Sequence, residues 1–588
     1  MALHRRQVSG LLRPWYPVWL LTRPGCRSGL GLPDTRANVA SSCLAPPPCG
    51  RPFGGRTTLL QWWPASPTAT STYHRPDVFW GHSKRCDASG PAVRPVVGPG
   101  TGLVRQRARL LDAVGLVARN ALVGAARRLP LAVQVRLVRL SGAAGQRFGL
   151  LDREDEPGRL FLQIRPDGIG LLAHRLRGSV AVSATNGKTT TATLVAAILA
   201  RSGATPVHNQ GGENMAAGVA KTLLHASGIR AGIGGGMGVF EIDEAWLPRL
   251  AAQLEPQAIL LGNLFRDQLD RFGEIESLVE RWAGVVARAP ETTFVLNADD
   301  PLVAYLGRHA REVLFFGLED GNHALPADEH AADVKHCRRC GAVYSYAVRF
   351  LAHLGHYRCA SCGLERPHPQ VAAGSIQLEG MRGTRLQLRT PVGTAGVRLR
   401  LPGLHSVWNA TAAAALGVML GVPLEHIVGA LEDARPVWGR GEEFTCGGRR
   451  IVLTLVKNPA GANTVLRTLD VHAAELDLLW VLNDHAFDGR DVSWIWDADV
   501  EQIAPRVRSL TCCGTRAPEL ALRLKYAGVS PGRIVVEPDV VAGTQRAIAR
   551  GAGPVQALAN YTAMLALRDV LAPGSSQSAA VIPGRAPP

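Results

Sequence analysis

Short apolar runs alternate with helix-length segments along most of the chain, and this alternation predicts α/β domains with parallel sheets. Candidate strands in the first half are 180–183, 239–242, 258–263, 293–296 and 313–316. Those in the second half are 451–455, 478–482, 509–513, 534–537 and 555–558. Open parallel sheets bind their ligands beyond the carboxyl ends of the strands, so the polar residues after these runs are candidates for chemistry.

The first strand leads into SATNGKTTTATLVAAILAR, which has the order of a strand end, a tight polar turn and a helix. Backbone N–H groups at the start of a helix bind phosphate, a lysine neutralises it, and a threonine hydroxyl binds Mg²⁺. A strict phosphate loop has a glycine where this chain has Val182. The pattern predicts a nucleoside triphosphate site at Thr185, Asn186, Gly187, Lys188, Thr189 and Thr190.

Polar residues follow the later strands as well. Glu241 and Asp243 close the strand VFEID, where a carboxylate binds Mg²⁺ directly or through water. We therefore predict a magnesium site at Thr189 and Glu241; two solvated acids at a strand end are the alternative. The run LNADDP places Asn297 and Asp299 after another strand, which suits a nucleotide ribose or base. A third polar segment contains Asn263, Arg266, Asp267, Gln268, Asp270, Arg271 and Glu274.

Four cysteines have the spacing of a zinc ribbon. They form two CxxC pairs with 18 residues between them, and a glycine follows each pair. Tetrahedral Zn²⁺ prefers four thiolates, and two such knuckles supply them; a disulfide or free thiols are the alternative. A closed Cys₄ site is structural, because no coordination position is left for a substrate. The predicted ligands are Cys337, Cys340, Cys359 and Cys362, in an insertion at 333–368.

The chain has 588 residues and a formal net charge of +17, which is concentrated near its start. Residues 1–100 contain 12 Lys/Arg against 3 Asp/Glu and 14 of the 39 prolines, so we expect a disordered extension or a mis-assigned start there. A targeting segment is disfavoured because Arg13 and two prolines interrupt the apolar run 11–21. From Arg105 the spacing becomes helical and basic, which is typical of a membrane-surface helix or of a solvated helix face.

The motif ATNGKTTT resembles the TNGKTT signature of the Mur ligase and folylpolyglutamate synthase superfamily, whose members make acyl phosphates from carboxylates with ATP. The segments HNQGGENMAAG, FEIDEA, RDQLDRFGE and LNADDP are similar to the central domain of one branch, the MurT family. KNPAGAN, NDHAFDGRDVSWIWD, GTRAPELALRLKYAG and NYTAMLALRDVL resemble that family's C-terminal domain. MurT proteins are the ligase-like subunits of the enzyme that amidates D-glutamate in the peptidoglycan stem peptide. The resemblance covers about 105–571.

The resemblance implies an α/β fold with a fixed domain order. A helical lead-in at 101–178 precedes a Mur-ligase-type P-loop central domain at 179–434, which carries the inserted Cys₄ zinc ribbon. A Rossmann-like α/β C-terminal domain follows at 435–573, and 574–588 form a disordered tail. In the superfamily an arginine at the place of Arg440 reaches back to the nucleotide phosphates, and His405 and Asn409 occupy matching places in a motif near the end of the central domain.

The resemblance also implies the reaction and its components. ATP and Mg²⁺ phosphorylate the α-carboxylate of D-glutamate in lipid II, and ammonia then displaces phosphate to give D-isoglutamine. The structural Zn²⁺ has no part in this chemistry. Because lipid II is membrane-bound, the implied location is the cytoplasm at the inner face of the cytoplasmic membrane, with peripheral membrane contact and no nucleic acid.

The implied ammonia source is a GatD-like class I glutamine amidotransferase in a heterodimer with this chain. No cysteine here has the sequence context of a glutaminase nucleophile. In the MurT complex the partner brings cysteine and histidine, the MurT subunit supplies the acid, and the DGRD segment puts that catalytic role on Asp491. The alternative for Asp491 is an N-cap of the helix that follows it.

Two other functions stay open at this point. An autonomous amino-acid ligase of the Mur or folylpolyglutamate class is disfavoured, because no lysine lies between Lys221 and Lys335 to be carbamylated and Gln268 replaces a metal-binding histidine. The role of Glu213, displaced by two residues from its expected place, is open. A nucleic-acid-binding ATPase is the second alternative, because basic and aromatic residues flank the ribbon. These are Arg338, Arg339, Tyr344, Tyr346 and Arg358.

Overall fold

The computed structural model describes residues 123–147, 155–210, 212–228, 231–267, 275–326, 329, 332–436, 439–470 and 475–572. The predictions for 1–100 and for the tail lie outside these residues, as does most of the basic lead-in. Gln268, Asp270, Arg271 and Glu274 also lie outside them.

Within the described residues, a short helical segment at 123–126 and three helices with defined bounds precede the first strand. The three helices are α1 (Leu131–Arg147), α2 (Glu156–Ile164) and α3 (Gly168–Ala173). Proline lies at the start of both longer helices, where its fixed φ fits and its missing N–H costs no hydrogen bond: Pro130 precedes α1, and Pro157 lies in the first turn of α2. The apolar residues of these helices pack under the central sheet together with Phe240 and Leu250.

The central sheet has nine strands, in the order β11-β10-β9-β6-β5-β4-β1-β3-β2. The first six strands run parallel to one another, and β9 pairs parallel with β6. The bounds are β1 (Gly178–Ser183), β2 (Pro206–His208), β3 (Met237–Glu241), β4 (Ala258–Leu261), β5 (Thr293–Asn297), β6 (Val313–Leu318) and β9 (Val371–Leu378). In register, Val182 of β1 pairs with Glu241 on one side and Leu260 on the other, so the carboxyl ends of three strands meet beside the phosphate loop.

Helices cover both faces of this sheet. Alternating residues of β1 enter different cores: Val180 and Val182 face one helical layer and Ala181 the other. The first layer contains α4 (Lys188–Arg201), α9 (Leu404–Met419) and α10 (Leu424–Asp433). The second contains α5 (Ala216–Ala226), α6 (Leu247–Leu254), α7 (Ile275–Arg288) and α8 (Pro301–Leu306).

The five strands predicted in the first half are present, but four further strands, β2, β9, β10 and β11, complete the sheet. After β9 the chain turns back twice, so that β10 (Thr384–Thr390) and β11 (Gly393–Leu399) pair antiparallel. A separate two-stranded hairpin, β7 (Ser345–Leu351) and β8 (Leu354–Arg358), lies in the predicted ribbon insertion. The short β2 at the opposite edge was also not predicted.

The C-terminal domain is a second α/β unit. Its six-stranded sheet has the order β12-β13-β17-β14-β15-β16, parallel except for the edge pair β12–β13. The strands are β12 (Arg440–Cys446), β13 (Arg449–Leu455), β14 (Leu476–Val481), β15 (Val507–Cys513), β16 (Ile534–Val536) and β17 (Val555–Ala559). The helices are α11 (Pro459–Asp470), α12 (Ala517–Tyr526), α13 (Val540–Arg550) and α14 (Tyr561–Leu571). All five strands predicted for the second half are present, and β12 is an addition.

Candidate active site

The phosphate loop runs from the end of β1 to the start of α4. Gly187 has φ 86°, a left-handed conformation that favours glycine, and lies directly against Asn409 of α9. A Cβ atom at Gly187 would lie 2.1 Å from Asn409 Oδ1. The Asn186 N–H donates to Asn263 Oδ1 at 2.9 Å, and Thr185 Oγ1 accepts from the Phe265 N–H at 3.1 Å. The loop is therefore fixed from three directions, with the N-terminus of α4 at its centre.

Lys188, the first residue of α4, is buried in a group of carboxylates. Its ammonium donates to Ala184 O at 3.0 Å and to Glu244 Oε2 at 3.1 Å. Burial disfavours the charged ammonium, but Glu244 and Asp243 outweigh that effect and raise the pKa of Lys188. The same pairing lowers the pKa of Glu244 against the opposing effect of its burial. Both groups are charged at neutral pH, and the lysine is available to a polyphosphate.

Thr189, Glu241 and Arg440 form a second polar cluster beside Lys188. Thr189 Oγ1 donates to Glu241 Oε1 at 3.0 Å and accepts from Arg440 Nη2 at 3.0 Å. Asn214 Nδ2 also donates to Glu241 Oε1, at 3.1 Å. The other oxygen, Glu241 Oε2, is buried and has no hydrogen-bond partner among the described residues. An unpartnered carboxylate oxygen next to a threonine hydroxyl is a donor set that fits Mg²⁺.

A third group joins the two domains. Lys457, just after β13, forms an ion pair with Asp267, which follows β4. Burial raises the pKa of Asp267, with Lys457 opposing the shift. One residue further on, the side-chain amides of Asn458 and Asn186 bond to each other at 3.2 and 3.1 Å. The C-terminal domain thus contacts the phosphate loop directly.

These groups line one cavity of about 710 Å³ between the central and C-terminal domains. That volume is within the usual range for small-molecule sites. All six residues of the predicted phosphate loop, 185–190, line the cavity, and so do Glu241, Arg440, Asn409 and His405. Burial and the nearby Arg440 lower the pKa of His405 to about 4, so its imidazole is neutral at physiological pH.

The structure places Asn297 and Asp299 outside the cavity lining. Asn297 Oδ1 accepts from the Asp299 N–H at 3.0 Å. The Asp299 carboxylate is fully buried and accepts from Arg366 Nε at 2.7 Å and from Trp408 Nε1 at 2.7 Å. Their role in nucleotide binding stays a prediction; the contacts described here are within the protein. Trp408, in contrast, lines the cavity.

The four predicted zinc ligands come together. Their sulfur atoms all lie within 4.8 Å of one another, with Cys337 Sγ 3.6 Å from Cys362 Sγ and Cys340 Sγ 3.5 Å from Cys359 Sγ. Each pair lies in a tight turn whose glycine has a left-handed φ, 76° at Gly341 and 73° at Gly363. Four converging thiols on two such turns fit a tetrahedral metal such as Zn²⁺.

The acids of the NDHAFDGRDVSWIWD segment have different surroundings. Asp484 pairs with Arg516 at 2.9 Å, Asp497 with Arg266 at 3.2 Å, and Asp488 accepts from the Thr562 N–H at 2.8 Å. Asp491 is exposed, and hydrogen bonds with the side chain and the N–H of Ser493 lower the pKa of Asp491. The Ser493 N–H donates to Asp491 Oδ1 at 2.8 Å. This bond is local to the start of the 3₁₀ helix Ser493–Trp496, whose N-cap residue is Val492 and not Asp491. The Asp491 carboxylate is accessible at the surface.

Comparison with known proteins places this geometry in a family. The family model described as "Mur ligase middle domain" matches residues 182–417, and the one described as "MurT ligase C-terminal" matches 455–564. The lipid II isoglutaminyl synthase (glutamine-hydrolyzing) subunit MurT of Streptococcus pneumoniae is 31% identical over 417 residues, which cover 71% of this chain and 92% of that protein. The subunit of the same name from Staphylococcus aureus strain N315 is 31% identical, over 74% of this chain and 97% of its own length.

The chain belongs to the MurT family.

Solved structures show the wider fold. A pseudomurein peptide ligase type C from Methanothermus fervidus has a TM-score of 0.53 at 22% identity, over 67% of this chain and 78% of that one. MurF from Acinetobacter baumannii has a TM-score of 0.51 at 18% identity, over 70% and 80%. The predicted fold class is therefore confirmed: a Mur-ligase-type domain with a Cys₄ insertion, followed by an α/β domain with the MurT C-terminal signature.

Four residues of this MurT site were missed from the sequence. Glu244 binds the phosphate-loop lysine, Asn214 donates to Glu241, and Lys457 and Asn458 reach across from the C-terminal domain. The only available signal was position: Glu244 lies one residue beyond the assigned Asp243, and KNPAGAN directly follows a predicted strand. Glu213 accepts from Lys221 at 2.7 Å and lines the cavity, and its role stays open.

Proposed function

We propose that this MurT-family chain is the ligase subunit of a lipid II isoglutaminyl synthase, which converts the α-carboxylate of D-glutamate in the stem peptide of lipid II to an amide. The observation that carries the proposal is the cavity in which Lys188, Thr189, Glu241 and Arg440 converge at the phosphate loop. Family membership supports the choice of reaction, because the relatives from two organisms are named as subunits of that synthase.

The site supports phosphoryl transfer from ATP to a carboxylate. The carboxylate oxygen attacks the γ-phosphorus of ATP, and the bond between the γ-phosphorus and the β-phosphate oxygen breaks. ADP departs as the leaving group, and the carboxylate has become an acyl phosphate. Lys188 and Arg440 stabilise negative charge on the transferring group, and the N–H groups at the start of α4 orient the phosphates. Thr189 and Glu241 would hold Mg²⁺, which supplies further charge neutralisation when it is bound. Ammonia then attacks the acyl carbon, and phosphate leaves.

The ammonia comes from a glutaminase partner of the GatD type. The relatives are named as glutamine-hydrolysing, and Asp491 is an exposed acid on the C-terminal domain. We propose that Asp491 accepts a hydrogen bond from the imidazole of the partner's catalytic histidine and stabilises its charged form. Its bond from the Ser493 N–H is compatible with this role, because that bond engages one oxygen, Oδ1.

We further propose that the four ribbon thiolates bind one structural Zn²⁺, and that the enzyme acts on lipid II at the inner face of the cytoplasmic membrane. Among the helices of the described residues, none is both long enough and apolar enough to cross a bilayer. In this proposal the contact with the membrane is peripheral, and the lipid carrier stays in the bilayer while its head group reaches the cavity.

The test is reconstitution of the chain with a GatD-type glutaminase, ATP, Mg²⁺, glutamine and lipid II. Mass spectrometry should detect replacement of the α-carboxyl OH by NH₂, and the product should be absent with Lys188→Ala. The variant should still associate with the partner, because Lys188 is buried in the central domain. Amino-acid addition by the chain alone would instead identify an autonomous ligase, and normal turnover by Lys188→Ala would exclude this loop as the phosphate site.

A further inference from the structure

The tip of the β7–β8 hairpin, residues 350–355, lies against the candidate active site, and we call it the ribbon hairpin. Phe350 is fully buried, and its ring makes an edge contact with Trp408 at 5.9 Å between centroids. Leu351 and Leu354, which are 5% and 1% exposed, line the same cavity as the phosphate loop. An insertion recognised by its four thiols thus contributes two apolar side chains to the wall of the site.

Contacts from both domains fix this hairpin. On the central-domain side, the Gly355 N–H donates to Asp299 O at 2.9 Å, and the buried carboxylate of Asp299 accepts from Arg366, near the end of the ribbon insertion. On the other side, Arg467 of α11 donates to Phe350 O at 2.9 Å and pairs with Glu329 at 3.1 Å. Glu329 Oε2 in turn accepts from the Ala352 N–H at 2.6 Å.

Two chemically different groups of side chains line the cavity. Lys188, Glu241 and their neighbours are charged, and the phosphates of a nucleotide fit beside them. The second group is apolar and includes Leu351, Leu354, Met381, Leu401, Pro402 and Trp408. A nucleotide has the same division, because its planar base has apolar faces and its polyphosphate is charged.

We propose that the ribbon hairpin forms the wall against which the base of the nucleotide packs, so that Leu351 and Leu354 contribute to nucleotide affinity. The proposal rests on the proposed function, since that places a nucleotide at the phosphate loop. It also gives Asp299 a task consistent with its position outside the cavity. Asp299 is a positioning residue, which fixes the hairpin through Gly355 and Arg366 and fixes Trp408 directly.

The test compares two probes, Mg²⁺–ADP and Mg²⁺–tripolyphosphate, by calorimetry on the full chain. Tripolyphosphate has no base, so its affinity depends on the charged group of Lys188, Glu241 and their neighbours alone. Leu351→Ala and Leu354→Ala should weaken ADP binding by about tenfold each, because each removes a large apolar contact from the base. Tripolyphosphate binding should change by less than about twofold, within the ordinary effect of a remote substitution.

Matched controls separate base binding from damage to the fold. Val343→Ala changes an apolar ribbon residue that is 66% exposed and outside the cavity lining, so both probes should bind as in the unsubstituted chain. The volume-conserving Leu351→Met and Leu354→Met should keep most of the ADP affinity. An equal loss of both probes in the alanine variants, or unchanged ADP binding in them, would overturn the proposal.

The binding test and the test of the proposed reaction can fail separately. If the ADP-specific loss occurs but reconstituted enzyme does not amidate lipid II, the base-binding wall stands and the reaction assignment fails. If amidation occurs but the alanine variants weaken both probes equally, the reaction stands and the hairpin is only part of the scaffold.

Discussion

Gly187 illustrates how a single residue determines the phosphate site. Its left-handed φ carries the chain from the loop into α4, and the missing side chain allows Asn409 to approach. Gly203, at the other end of α4, has a similar φ of 88°, but a Cβ there would meet nothing within 4 Å. Comparing substitutions at the two glycines therefore distinguishes the effect of backbone strain from that of steric conflict.

We predict that Gly187→Ala abolishes nucleotide binding, whereas Gly203→Ala lowers stability by about 1 kcal/mol through its φ alone. In Gly187→Ala the new Cβ must displace Asn409 or the loop, because its closest approach to Asn409 Oδ1 is 2.1 Å. Calorimetry with Mg²⁺–ADP and thermal melting measure the two effects. If Gly187→Ala binds ADP as well as Gly203→Ala does, the loop does not need this close approach.

Asp491 is the residue whose role a substitution can best resolve. We predict that Asp491→Asn keeps the fold and the complex but strongly reduces glutamine-dependent amidation, because the partner's histidine loses its charge-stabilising acid. The equivalent change in a serine-protease triad costs about 10⁴ in rate, and a cysteine–histidine pair depends on its acid less. Added ammonium salts should restore the product, because the ligase site is untouched.

Asp484→Asn and Asp497→Asn are the controls for this experiment. Their carboxylates pair with Arg516 and Arg266, so neither is expected to distinguish the two ammonia sources. An equal loss of ammonia-dependent and glutamine-dependent activity in folded, partner-bound Asp491→Asn would assign Asp491 to the ligase site or to capping.

His405 gives the fold a predictable pH dependence. Its folded-state pKa of about 4 lies below the unfolded value of 6.5, because burial and Arg440 disfavour the charged ring. Between these values the unfolded chain binds a proton that the folded chain does not, so stability falls as pH decreases from 6.5 towards 4. His208, whose pKa is also about 4 through burial, adds to the effect.

We predict a drop in the free energy of unfolding on the order of a few kcal/mol over this pH window. Chemical denaturation at several pH values measures it. His405→Gln should have a shallower pH slope than the unsubstituted chain. If His405→Gln and His208→Gln both have the same pH slope as the unsubstituted chain, neither histidine causes the pH dependence.

At the scale of elements, apolar runs located the ten predicted strands because buried parallel strands are nearly continuous in hydrophobicity. The antiparallel strands were missed for the opposite reason. In β10, TRLQLRT, buried and exposed residues alternate strictly, so polar residues outnumber apolar ones and only the period of two identifies the strand. The ribbon cysteines were recognisable because metal geometry fixes their spacing, whereas nothing local indicated that the hairpin between them reaches the active site.

We predict one zinc ion per chain and a large loss of thermal stability when it is removed. A structural zinc site contributes on the order of 10 kcal/mol to folding, and Cys337 and Cys359 belong to the same buried cluster as Trp282 of α7. Cys359→Ser should therefore lower the melting temperature strongly. Cys446→Ser, which changes a half-buried cysteine outside the ribbon, should have little effect. Metal-free protein with an unchanged melting temperature would contradict the structural role.

At the scale of the whole molecule, the active site depends on the contact between two domains. The bonds that join them involve residues far apart in sequence: Asn186 with Asn458, Lys457 with Asp267, and Arg440 with Thr189. Sequence patterns placed Asn186, Asp267 and the KNPAGAN segment after predicted strands but could not specify these pairs, because a partner across a domain boundary leaves no period or spacing. Arg440 was the exception, since the resemblance carried its role.

The pair Lys457–Asp267 provides a direct test of this arrangement. Asp267 is nearly buried, whereas the Lys457 side chain is 25% exposed. We predict that Lys457→Met lowers the free energy of unfolding by on the order of 2 kcal/mol, less than the 3–5 kcal/mol lost when a fully buried pair is broken. The cause is the unpaired carboxylate of Asp267, which is nearly buried beside Glu244.

A double variant tests whether the unpaired Asp267 carboxylate is the cause of that loss of stability. Asp267→Asn in the Lys457→Met background removes the unpaired charge, so the double variant should regain most of the lost stability. Thermal melting and denaturant titration of the unsubstituted chain, both single variants and the double variant complete the cycle. If the double variant is as unstable as the sum of the two single variants, the two residues are not coupled. The domains would then be held together by the amide pair of Asn186 and Asn458 and by Arg440, and an ion pair at this junction would have no part in forming the site.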